Sequence, residues 1–185
     1  MRLFCCQAHS SAIVPSTIPS SSIVADSTTS TGLKWAAPAG GGGGKVLQVV
    51  QGTTTTSTYI ATTSFTDTSL SATITPSASS SKILAIISQY CRIEDNTALA
   101  KVGYQLLRDS TAVYTIDGGG NQAGLFITAQ NAPSIEMRAV LNGTYLDSPS
   151  TTSAITYKTQ GNTADNVYFQ HNSTISTLTL LEIGA

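Results

Sequence analysis

The chain has 185 residues, of which 41% are hydrophobic and 10% charged, with a formal net charge of −1. That length suits one domain of ordinary size plus an extension. The near-neutral charge offers no electrostatic basis for binding nucleic acid or an anionic membrane. Ser and Thr together account for 52 residues. A disordered chain this polar would carry more charge and fewer aliphatics, so the Thr, Val, Ile and Tyr content points to sheets.

Met1-Arg2-Leu3-Phe4-Cys5-Cys6 outlines a secretion signal, but its apolar run stops at Gln7, short of the ~7–15 residues that a signal core needs. No later segment approaches the ~18 apolar residues of a membrane-spanning helix, so membrane insertion is not expected. From Ser10 to Thr31 the chain is rich in Ser, Thr and Pro. Isolated aliphatics (Ile13, Val14, Ile18, Ile23, Val24) follow neither helical nor strand periodicity. Such a segment cannot bury its own apolar residues, which leaves a disordered tail or an extended arm that orders on a partner. Trp35, the sole tryptophan, precedes five consecutive glycines, Gly40 to Gly44. A glycine run of this kind reads as a flexible joint. The expected division is therefore an arm and linker over 1–44 and a module over 45–185, with Trp35 anchoring the arm to a surface.

Beyond the glycines, short β-type segments succeed one another. Lys45 to Gln51 is a first strand, Tyr59 to Ala61 and Ser64-Phe65 are short ones, and Leu70 to Thr75 alternates apolar with polar. Lys82 to Ile93 is the most apolar segment. It reads as a central strand with one face in the core and the other against another subunit. Ala100 to Arg108 and Ala112 to Ile116 flank a turn at Arg108–Thr111, the clearest hairpin. Asn142-Gly143 is a two-residue turn signal between Ile135–Leu141 and Tyr145-Leu146. Ala154 to Gln160, Val167 to Gln170 and Ile175 to Ile183 complete a set of nine or ten strands without a helix. That pattern predicts an all-β fold, a jelly-roll-like antiparallel β-sandwich.

Little chemistry is legible. Cys91 lies in the apolar strand and reads as a small buried hydrophobe, and the three cysteines lack metal-type spacing. The module has a single histidine, His171, and no nucleophile elbow surrounds any serine, so no catalytic residue is expected. Glu94-Asp95 reads as a solvated loop rather than a glycosidase pair, because neighbours in a strand point to opposite faces. Asp117 and Asn121 bracket three glycines but match no calcium-loop pattern, so neither a metal nor any other cofactor is expected. Asn142-Gly143-Thr144 and Asn172-Ser173-Thr174 match the glycosylation pattern and read as turns. Tyr145 and Asp147, following the Asn142-Gly143 turn, would place an aromatic plate and hydrogen-bonding groups at one hairpin tip, a make-up suited to saccharide. Asn142, Tyr145 and Asp147 are thus the candidate receptor-binding loop, with a cross-strand role for Tyr145 as the alternative.

Thr31 to Ala39 before the glycine run resembles the linker of tail-fibre and related structural proteins of tailed bacteriophages. The segments Lys45 to Gln51, Phe65 to Ile87, Gln105 to Asp109, Ser148 to Gln160 and Leu178 to Ala185 resemble the distal domains of those proteins. The resemblance implies a virion component on the tail or capsid surface. It also implies a homotrimer, with a β-sandwich head displayed for host attachment and an N-terminal arm that contacts other virion proteins. It carries over no catalytic residue. Typical fibres have a long shaft and only about forty residues precede this module, so a capsid decoration (cement) protein or head fibre is the alternative. A polysaccharide-degrading enzyme is a remote one.

Overall fold

The computed structural model describes residues 22–25, 28, 30–36, 44–95, 99–116, 125–128 and 135–184. The chain divides into two units, Met1–Gly42 and Gly43–Ala185. In the first, β1 (Ser22–Ala25) pairs antiparallel with β2 (Leu33–Ala36), Ile23 lying opposite Trp35. The irregular aliphatic spacing of the arm had given no strand signal at Ser22–Ala25. The backbone turns back at Gly32, whose φ of 69° is a left-handed conformation open to glycine.

The second unit is all-β. Its strands are β3 (Val46–Thr54), β4 (Thr58–Ile60), β5 (Thr66–Ile74), β6 (Lys82–Asp95), β7 (Leu99–Arg108), β8 (Thr111–Ile116), β9 (Leu125–Thr128), β10 (Ile135–Asp147), β11 (Ile155–Asn162), β12 (Asn166–Phe169) and β13 (Ser176–Ile183). All pairings are antiparallel and most are nested. β7 pairs with β8 and β6 with β10, then β5 with β11, β4 with β12 and β3 with β13. Folding such a nested ribbon over itself yields two sheets. One runs β3-β13-β6-β12-β4, with β10 on the far side of β6; the other runs β5-β11-β7-β8, with β9 also on β7. This is the jelly-roll wrap expected from the strand pattern.

The core lies between the sheets. Alternation sends Ile83, Ala85, Ile87, Cys91 and Ile93 of β6 inward, where they meet Leu70 and Ile74 of β5, Tyr104 and Leu106 of β7, and Tyr157 of β11. Burial pushes the Cys91 thiol up to about 12, so the residue behaves as the small hydrophobe that its surroundings suggested. Some polar groups that enter the core are paired: Gln89 donates to the Thr68 hydroxyl at 2.7 Å, and Thr68 and Thr159 share a 2.5 Å hydrogen bond, whereas Gln89 Oε1 and the Tyr104 hydroxyl are buried without a partner. Glu182, also buried, accepts from the Ser77 hydroxyl and backbone N–H and from the Gln48 amide.

Several expectations need correction. Asn142-Gly143 is not a turn: β10 runs unbroken from Ile135 to Asp147 against β6, with Asn142 opposite Ser88 and Gly143 opposite Ile87. Gly143 serves close packing instead, since a Cβ there would sit 3.3 Å from Ile87 and 3.6 and 3.7 Å from the Tyr114 and Tyr104 rings. Glu94-Asp95 ends β6 rather than forming a loop, and Ser64-Phe65 lies outside any strand. The apolar strand has one face in the core, as expected, and its other face is open in the single chain, where Ile86 is 41% exposed. The expected hairpin between β7 and β8 forms, and Asp109 takes the left-handed position of its turn (φ 53°), which Asp tolerates. The Asp117–Asn121 loop, Cys5, Cys6 and His9 lie outside the described residues.

Candidate functional site: an aromatic and ionic patch on the outer sheet face

The three residues expected at one loop tip are separated by the β10 alternation. Asn142 faces outward and its amide donates to the Val140 carbonyl at 3.3 Å. Tyr145 faces inward and is half-buried, packed on the core with its ring 5.8 Å from that of Tyr114. Asp147 is buried and holds the Arg108 guanidinium through both oxygens, at 3.0 and 2.9 Å, and the Tyr157 hydroxyl at 2.6 Å. Burial, with the Asp147 carboxylate beside it, raises the Tyr157 pKa. Asp147 and Tyr145 thus hold the sandwich together, and no common binding tip exists. Trp35 sits in β2, and its side chain lies outside the described part of the molecule.

A different cluster forms at the end of the module remote from Lys45. β6 carries Arg92 and Glu94 on its outer face, and register does the rest. Tyr168 of β12 lies beside Arg92 on one side and beside Tyr59 of β4 on the other, while Arg138 of β10 lies across from Arg92. One row therefore reads Tyr59, Tyr168, Arg92, Arg138 across four strands. The neighbouring row reads Asn166, Glu94, Glu136. β4 and β12 are short, and each buries one side (Ile60; Val167 and Phe169), which turns its remaining side chains outward.

Contacts within the patch are specific. The Tyr59 and Tyr168 rings stack with centroids 4.8 Å apart, and the Tyr59 hydroxyl donates to Asn166 Oδ1 at 2.6 Å. The Arg92 guanidinium lies 5.7 Å from the Tyr168 centroid, within cation–π range. It also donates to Glu136 at 2.9 Å, contacts Glu94, and meets His171 Nε2 at 3.1 Å. A guanidinium only donates, so Nε2 is the acceptor and the ring hydrogen resides on Nδ1. His171 reaches this position because Gln170 and Asn172 adopt left-handed φ values of 51° and 55°, swinging the chain from β12 toward β13. His171 Nδ1 and Arg92 Nε are buried and unpartnered.

Electrostatics bear on what the patch can do. Hydrogen bonds from Arg92, and secondarily from Arg138, overcome partial desolvation and lower the Glu136 pKa to about 2. A glycosidic general acid requires the opposite shift, upward toward neutrality. Glu136 is therefore a permanent anion that orients two guanidinium groups. Tyr59 is 54% exposed and the Arg138 side chain 57% exposed, so a flat ring and a cationic fork face solvent at opposite ends of one row. Such a surface can stack on a sugar ring or planar group and hydrogen-bond its hydroxyl or carboxylate substituents.

Only His171 and Glu94 of this patch had been singled out from sequence, each for a different role. The usable signals were same-face pairs two residues apart: Tyr90-x-Arg92-x-Glu94, Glu136-x-Arg138 and Asn166-x-Tyr168. Nothing local indicates that these pairs share one surface. Among the described residues, no three His, Cys, Asp or Glu side chains gather as a metal site, and no helix is long and apolar enough to cross a membrane. No protein-family model matches the chain, and no curated protein matches it.

Proposed function

We propose that the chain is a tail-fibre-like virion protein of a tailed bacteriophage. In this reading it is a homotrimer whose jelly-roll heads attach to a host surface without catalysis, and the N-terminal arm contacts other virion proteins. The observation that supports attachment is the outward row Tyr59, Tyr168, Arg92, Arg138, at the end of the module remote from Lys45. Strand β6 alone carries it about 33 Å from Lys82, taking 3.3 Å per residue. A displayed head needs its contact groups far from its tether, and this patch meets that requirement. The ligand class that fits is a surface saccharide, held by stacking on Tyr59 and by hydrogen bonds from Arg138 and Asn166.

The test compares host-cell and glycan-array binding by the wild type, Tyr59→Ala and Arg138→Ala, with melting temperature measured in parallel. Loss of binding by at least tenfold at unchanged melting supports attachment through this patch. Equal binding by all three overturns it.

A second reading, a capsid decoration protein with a purely structural role, draws on a separate observation. An uncharged aliphatic row, Val49, Leu181, Leu84 and Leu146, occupies the other half of the same outer face. Labelled imaging of particles separates the readings: signal at tail tips favours attachment, signal over the shell favours decoration.

A further inference from the structure

The outer face of the β3-β13-β6-β10 half is uncharged, aliphatic in one row and hydroxyl- or amide-bearing through most of the other two, where a solvated sheet would carry charge. Pairing registers align Val49, Leu181, Leu84 and Leu146 in one row, Gln51, Thr179, Ile86 and Thr144 in the next, and Thr53, Thr177, Ser88 and Asn142 in the third. No charged side chain occurs among these twelve positions. Val49 is 59% exposed, and Leu47, at the margin of the rows, 50%. The outer face of the opposite sheet shows the contrast. There Lys158 binds Asp67 at 2.8 Å, Gln160 donates to Asp67, and Gln105 donates to Gln160 at 2.6 Å. That face satisfies its polar groups and exposes charge to water.

We propose that the β3-β13-β6-β10 outer face is the surface on which a second copy of this chain packs. The proposal rests on the homo-oligomer reading above and assigns it a location. Three properties favour a copy over an unrelated partner. The face is neutral, so it offers no charge pattern by which a charged partner would be selected. Its rows are uniform, so a copy laid against it, about a two-fold or a three-fold axis, brings aliphatic onto aliphatic and hydroxyl onto hydroxyl. Its size is adequate: four strands about 4.8 Å apart and three rows about 6.7 Å apart give a projected area of roughly 390 Å². Side-chain relief increases the accessible area of such a face toward the ~800 Å² per partner of a standard interface. Two sheet faces stack about 10 Å apart, the separation that interdigitated side chains of this size fill.

The experiment is light scattering of the full chain at micromolar concentration, for the wild type, Ile86→Lys and Val49→Lys. Tyr59→Ala in the remote patch serves as the control. The expected result is a multiple of 19.1 kDa for the wild type and the control. The lysine variants should fall to the single-chain mass with unchanged circular dichroism. A wild-type multimer that persists in both lysine variants overturns the surface assignment and leaves the oligomer reading standing. A wild type at 19.1 kDa overturns both. Should a lysine variant unfold, Ile86→Thr, which only extends the hydroxyl rows, replaces it. At least tenfold weaker association is then expected, and unchanged association overturns the proposal.

Discussion

One sheet face carries two different surfaces, and strands β6 and β10 run through both. Near Lys82, β6 lies between β13 and β10 and presents Leu84 and Ile86; near Glu94 it lies between β12 and β10 and presents Arg92 and Glu94. The inward side of the same strand does not change, remaining Ile, Ala, Ile, Gln, Cys, Ile throughout. Surface character therefore changes along the outer side of β6 itself, where its neighbour changes from β13 to β12. Where β13 pairs, the row is aliphatic and hydroxyl-bearing; where β12 pairs, it is aromatic and ionic. The alternation of β6 separates inside from outside, and the change of neighbour divides the outside into two regions with different uses.

The largest expected effect tests the inside–outside division. Ile87→Asp places a carboxylate where the side chain is 1% exposed and should destabilise the module by roughly 4 kcal/mol, enough to unfold it. Ile86→Asp, one residue away on the outer face, should cost only about 1 kcal/mol in the single chain, through poorer strand propensity. Equal losses in urea denaturation would abolish the distinction between the faces.

Next in size is Asp147→Ala. Asp147 ends β10 beside Leu146 of the aliphatic half, and removing it leaves Arg108 and the Tyr157 hydroxyl without their partner. A loss of about 3 kcal/mol is expected, at the lower end for breaking a buried pair because Arg108 is partly exposed. A neutral outcome would return Asp147 to a surface role.

The smallest effects distinguish the two halves by acid. Glu182, beside the aliphatic half, has its carboxyl pKa lowered from 4.5 to about 2; burial raises it, but hydrogen bonds from Ser77, Ser81 and Gln48 together outweigh that. Its contribution to stability is therefore complete above pH 4.5 and lost as pH falls from 4.5 toward 2. Glu136 in the ionic half is also lowered to about 2, through Arg92 and Arg138, but its exposure to solvent makes the contribution small and salt-sensitive. Thermal melts across that pH range should flatten clearly in Glu182→Gln and only slightly in Glu136→Gln. Added salt should remove the Glu136 difference and spare that of Glu182. The reverse ranking would mean that the ionic patch, and not the buried carboxylate, governs acid stability.

The strand pattern was largely legible because period-two alternation is local. The segments at Lys82, Ala100 and Ala112 were located within a residue or two. The Asn142-Gly143 signal failed for an equally physical reason. The dipeptide favours a tight turn in isolation, but here pairing with β6 along all of β10 outweighed that local preference. The same error removed the candidate loop, since a continuous strand sends Asn142 to one side and Tyr145 and Asp147 to the other.

Composition and alternation alone thus determined the all-β class and the sandwich. They act over a few residues and need no partner to be read. Which side chains share a surface was decided by tertiary pairing. Tyr59 meets Tyr168 across 109 residues of chain, and Val49 aligns with Leu181 across 132. Register at such separations is set by nested closure of the whole ribbon, a property of no local segment.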